Sequence, residues 1–252
     1  MDWITDPQYL VAFLTLTVLE IVLGIDNIIF ISIVSGKLPE TVQPKARLVG
    51  LGLAMIIRIL LLLSITWIMR LTSPLFEILT QQISGRDLIL IVGGLFLIGK
   101  STFEIHDKLE GEEGGKSGRV KTSFSSVIIQ ILLLDIVFSL DSVITAVGMV
   151  DKVGVMIAAV IVAVVFMMIF SNPISNFVHM HPTIKILALS FLILIGLSLL
   201  AEGFDQHISK GYIYFAMAFS VFVEMLNIKV RGRKEKPVKL KEAYTEEGTD
   251  SN

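Results

Sequence analysis

Four acidic residues sit where acids are costly. Glu20, Asp26, Asp135 and Asp141 each lie well inside a long apolar run of the chain. A charge at the centre of a bilayer costs on the order of 2.5–3.5 kcal/mol on insertion scales. Arg58 is the single deep basic residue. One arginine can balance one carboxylate, or two in a network, but not four. The remaining acids must hold protons, line a wet cavity or bind a cation. Alternatively, all four are structural and hydrogen-bonded across helices, with Arg58 as their counter-ion.

The acids come in two matched pairs. Glu20-Ile21-Val22-Leu23-Gly24-Ile25-Asp26-Asn27 is echoed by Asp135-Ile136-Val137-Phe138-Ser139-Leu140-Asp141-Ser142. Within each pair the acids are six residues apart, which on a regular helix turns them about 120° from each other. A local unwinding at Gly24 and Ser139 would bring both carboxylates inward and free backbone carbonyls as ligands. With the Asn27 amide and the Ser142 hydroxyl, the donor set is all oxygen. The chain has no cysteine, and its four histidines fall outside the deep runs, as surface residues. Such donors suit hard divalent cations, Mn²⁺, Mg²⁺ or Ca²⁺, better than Cu⁺ or Zn²⁺.

Other polar residues invite weaker roles. Glu104 and Glu202, with Asp107 and Asp205 nearby, mark membrane exits as vestibule acids or as solvated helix ends. Glu224 and Asn227 belong near the end of the last span, where snorkelling or capping explains them. Asn172 and Asn176 flank Pro173, which reads first as a helix stop and second as a gate or polar lining. No nucleophile–base set and no zinc-type His-Glu motif accompanies the acids, so an enzyme is not expected.

The elements that must carry these residues are membrane helices. Charged residues make up 17% of the 252, against about 25% in soluble domains, and the mean hydropathy is +0.78. The expected spans are 10–34, 46–69, 88–103, 124–150, 153–170, 184–201 and 212–227, with several short enough to borrow flanking residues or be partly re-entrant. The fold class is an all-α membrane protein of about seven transmembrane helices. The matched motifs lie in spans one and four, an odd offset, so the second copy enters from the opposite side. This predicts two inverted three-helix repeats, 8–104 and 122–205, plus an extra helix at 212–227. Inverted repeats are common in secondary transporters, which bind cargo where the halves meet. Residues 1–228 form the membrane domain, and 229–252 a basic-then-acidic disordered tail. The Met1-Asp2-Trp3 start has no basic leader region, so no cleaved signal is expected. Placing the tail in the cytoplasm and the N-terminus outside puts most of the 21 lysines and arginines on the inside. Residues 111–117 (GEEGGKS) imitate a phosphate loop, but Glu110 occupies the first glycine position and two glutamates would repel phosphate.

The paired motifs resemble the TerC family of integral membrane proteins, over roughly residues 8–228. Residues 188–194 (ALSFLIL) and 210–217 (KGYIYFAM) resemble its bacterial inner-membrane subgroup, without the C-terminal cytoplasmic modules of extended members. The resemblance implies an inner-membrane protein of a family near the lysine-exporter-like superfamily. That family is associated with tellurium resistance and with export of manganese or other divalent metals. Its membrane acids match Glu20, Asp26, Asp135 and Asp141, with Asn27 and Ser142 beside them. Together with the residues, this leads to a divalent-metal exporter, for manganese first, working by alternating access with protons as a candidate counter-ion. The alternative is a non-transporting, metal-responsive scaffold or a partner in tellurite-type resistance. Lipid and metal are the expected partners. No cofactor is required, no nucleic acid is expected, and a homo-oligomer is compatible with either role.

Overall fold

A computed structural model describes residues 7–64, 72–78, 81–110, 123–150 and 152–231. The tail beyond 231 and the 111–117 segment lie outside the described residues. Among the described residues, seven helices are long and apolar enough to cross a membrane. They are α1 (Pro7–Ser35), α2 (Gln43–Leu63), α3 (Gly85–Leu109), α4 (Phe124–Met149), α5 (Val153–Met180), α6 (Pro182–Glu202) and α7 (Lys210–Arg231). A two-stranded antiparallel hairpin, β1 (Pro74–Ile78) with β2 (Gln81–Ser84), leads into α3. It was not expected in an all-α chain, but its alternating segment is too short to signal a strand against its apolar surroundings.

The short spans resolve into long helices. α3 starts at Gly85 because Ser84 and Asp87 form a reciprocal capping box, which satisfies two free N–H groups. It then runs to Leu109, with Glu104 inside the helix rather than beyond it. α5 corrects a second expectation: it passes through Pro173 and ends at Met180. Proline removes one backbone donor but does not end a helix whose neighbours hold it in place. The break comes at His181, and Pro182 then opens α6 at the first helical position, where its missing N–H costs nothing.

The five most extensive helix pairs are α3–α6, α1–α5, α2–α4, α2–α5 and α1–α4. Exchanging α1 with α4, α2 with α5 and α3 with α6 maps this set onto itself, as two equivalent halves require. α7 stands outside the pattern and packs mainly on α6. α1 and α4, the carriers of the acid motifs, are the most buried helices, and α7 is the least. Large apolar side chains such as Phe103, Ile169, Phe215 and Phe222 point outward, as a lipid-facing surface requires.

The α3–α6 crossing depends on backbone contact. Gly94 and Gly196 face each other so closely that a Cβ on either would strike the other's carbonyl oxygen. Small residues permit such approach in membrane bundles. Gly94→Ala is therefore expected to lower stability by about 1–3 kcal/mol through overpacking. Gly99→Ala, whose Cβ meets nothing within 4 Å, should leave stability unchanged or slightly raised. Melting temperatures of the two purified variants in one detergent check this.

Candidate polar site between the repeats

α1, α2 and α4 converge on Arg58. This side chain, 4% exposed, pairs with Glu20 at 2.5 Å and with Asp135 at 2.7 Å. Its Nε also donates to Asp135, at 3.1 Å. Asn27 donates to the same carboxylate at 3.2 Å, and the Ser139 hydroxyl donates to its second oxygen at 3.1 Å. Glu20 from one repeat and Asp135 from the other are equivalent positions of the two motifs, so one guanidinium on α2 ties the halves together. Arg58, expected as a counter-ion, makes ion pairs with one acid of each motif. Glu20 and Asp135, expected as metal ligands, are committed to it here.

The helices do not unwind at the small residues between the acids. α1 is continuous through Gly24 and α4 through Ser139. Gly24 instead makes room for the thioether of Met167 on α5, where any Cβ would collide. Ser139 spends its hydroxyl on Asp135, one turn back. Because the helices stay regular, the two acids of each motif face different neighbours. Among the described residues, no three Asp, Glu, His or Cys side chains converge into a ready-made metal centre.

The second acid of each motif faces a cavity of about 50 Å³, room for a few waters or a partly hydrated ion. Asp26, Asp141, Ser142, Ser198, Lys210 and Tyr214 are among its lining residues, and Arg58 forms part of its wall. Arg58 and Ser142 also line a smaller cavity beside Glu20. Asp141 is 6% exposed. It pairs with Lys210 and, at 3.1 Å, with Arg86. Arg86 also holds Glu202 at 2.7 Å. Asp26 is equally buried, at 6%, yet no hydrogen bond or ion pair joins it among the described residues. Across this network five carboxylates (Glu20, Asp26, Asp135, Asp141 and Glu202) face three cations (Arg58, Arg86 and Lys210). Asp87, at the network's edge, caps α3 and also lies 3.8 Å from Arg86. A surplus of negative charge inside a low-dielectric bundle attracts cations strongly.

The remaining sequence candidates separate from this site. Glu104 is buried near the far end of α3 and pairs with Lys37. Glu202 does join the site, through Arg86. Glu224 lines an open, mostly apolar groove between α6 and α7, where Asn227 donates to it at 3.2 Å. Asn172 is a polar anchor: its amide oxygen accepts two bonds from Arg47, at 2.7 and 3.2 Å. Asn176, His106, His179 and His207 are exposed, and His181 is half-buried. Sequence reasoning missed Arg86 and Lys210, which fall just outside the expected spans 88–103 and 212–227. Each sits at the start of a helix, and a long basic side chain there reaches a full turn inward as readily as it snorkels outward.

Seven membrane-length helices around a buried, negatively biased polar core define a multi-pass membrane protein. Residues 5–238 match the model of the integral membrane protein TerC family, and the chain belongs to that family. It is 58% identical to the inner membrane protein YgdQ of Escherichia coli K12, over 92% of this chain and 97% of that one. A Haemophilus influenzae protein, UPF0053, is also 58% identical, over 91% and 98% of the two chains. The longer inner membrane protein YoaE of E. coli K12 is 51% identical over 90% of this chain and 44% of its own. No solved structure matches. The family and these relatives make the chain a multi-pass inner-membrane protein.

Proposed function

We propose that the chain is a transporter that exports a divalent cation, manganese first, with Asp26 and Asp141 as the carboxylates that hold the cargo. The observation that carries this is Asp26, buried, without a hydrogen-bond or ion-pair partner among the described residues, and sharing with Asp141 a cavity between the two repeats. An isolated carboxylate in such a place is neutralised by a proton or a cation. Ser142 and Ser198 supply further oxygens, and an all-oxygen set favours a hard ion. The seam between inverted repeats is where transporters of this architecture bind their cargo. The Arg58 bridge supports a rocking cycle, because its two partners belong to different halves. The bias of lysines and arginines supports a cytoplasmic C-terminus. The end carrying Arg86 and Lys210 then faces outward. Protons and metal compete for the same two carboxylates, so proton return is the proposed driving force. Catalysis and a resident cofactor have no part in this cycle.

The test is flux through purified protein in sealed vesicles, with Mn²⁺, Ca²⁺ and Mg²⁺ offered separately and an imposed pH gradient. Protein-dependent Mn²⁺ movement that drains the proton gradient is the expected result. No movement of any of the three ions, with or without the gradient, would overturn the proposal and leave the scaffold role.

A further inference from the structure

We infer that Lys210 is a tethered substitute for the cargo: its ammonium holds Asp141 while the site is empty, and the incoming divalent ion displaces it by moving the start of α7. This rests on the transport function proposed above and names the residue that sets its cation affinity.

Of the three cations in the network, Lys210 alone has a way out. Its side chain is 36% exposed, against 4% for Arg58 and 15% for Arg86. Among the described residues, Arg58 is shared between two carboxylates and Arg86 among three, whereas Lys210 pairs with Asp141 alone. A lysine ammonium is a point charge on a flexible stem and does not lock a carboxylate as a guanidinium does.

The element that carries Lys210 is built to move. α7 lies outside the two repeats and packs mainly on α6. Its buried contact there is a small cluster of Phe191, Ile213 and Met217. The connection before it is irregular, with Asp205 at φ 56°. Such a backbone angle is uncommon outside glycine and marks a turn rather than a continuous helix. Lys210 and Tyr214 are one turn apart and both line the cavity. A single outward shift of this turn withdraws both from the acids without disturbing the contacts between the repeats.

The charges balance at each stage. With Lys210 on Asp141, one proton suffices to neutralise Asp26. With Lys210 withdrawn, Asp26 and Asp141 present two negative charges to one divalent ion. Binding therefore exchanges the ion for one ammonium group and one proton. The single bond that breaks is the Asp26 O–H: its electron pair stays on the carboxylate and its proton leaves to solvent.

The experiment measures Mn²⁺ binding by titration calorimetry, with full-length protein in lipid nanodiscs. Lys210→Met is expected to bind Mn²⁺ about tenfold or more tightly than wild type, because the internal competitor is gone. Its transport turnover should fall, because release then lacks the returning lysine. A second measurement keeps Lys210 in place. The chain has no cysteine, so Ser209→Cys supplies a single thiol beside Lys210, on an exposed residue. Mn²⁺ should change the rate at which a water-soluble thiol reagent labels it several-fold. Equal or weaker Mn²⁺ binding by Lys210→Met, or a labelling rate indifferent to Mn²⁺, would overturn the inference while wild-type binding and flux left the transport function standing. A wild type without saturable Mn²⁺ binding would remove both.

Discussion

Replacing Arg58 with methionine should be the most damaging single substitution in the bundle, with folded protein in the membrane nearly lost. The guanidinium makes close ion pairs with both Glu20 and Asp135, and the smaller cavity beside Glu20 offers little room for compensating water. Removing one partner of a buried pair typically costs about 3–5 kcal/mol, most of it from the charge left behind. Here two carboxylates are left behind, one from each repeat. The same logic predicts the rescue. Arg58→Met combined with Glu20→Gln and Asp135→Asn removes every stranded charge and should restore most of the folded yield. Size-exclusion profiles of the single and triple variants decide the matter. If the single variant folds like wild type, the bridge contributes nothing to holding the halves together. If the triple variant fails as badly as the single, the damage comes from lost shape rather than stranded charge.

The parts of this arrangement that were legible in the sequence share a physical reason. Acids in hydrocarbon are rare enough that Glu20, Asp26, Asp135 and Asp141 announce themselves, and their repetition exposes the two halves. Long apolar runs announce the helices equally well. What stayed hidden depends on three-dimensional reach. Arg86 and Lys210 belong to polar joints by sequence, yet their stems carry charge back to Asp141. Gly24 was legible as a small residue, but not as a socket for Met167 rather than a break. Pro173 resembled a stop because a single sequence does not show the neighbours that keep α5 intact, including Arg47 on the amide of Asn172. The division of labour among the acids was hidden for the same reason. Identical spacing in the two motifs gives Glu20 and Asp135 to Arg58, and leaves Asp26 and Asp141 to the cavity, only once α2 is packed between them.

Asp26→Asn should separate folding from function more cleanly than any other change. The native carboxylate has no ion-pair or hydrogen-bond partner among the described residues, so nothing is stranded when its charge goes. The isosteric amide also relieves the cost of burying an unpaired acid, and folded yield should equal or exceed that of wild type. Export should nevertheless disappear. Even residues that only support a metal ligand typically cost about 10–100-fold when altered, and losing one of two charged ligands should cost at least as much. Asp141→Asn makes the instructive contrast. It loses the same cargo charge, but it also strands Lys210 and takes from Arg86 one of its carboxylates, leaving it Glu202 and the more distant Asp87, so both stability and transport should fall. Melting temperature and Mn²⁺ flux, measured together on the two variants, distinguish the roles. Wild-type flux from Asp26→Asn would mean that the cavity does not hold the cargo, whatever the protein carries. An Asp141→Asn variant as stable as wild type would mean that its two cations find other partners at no cost, and that the charge network is looser than its geometry implies.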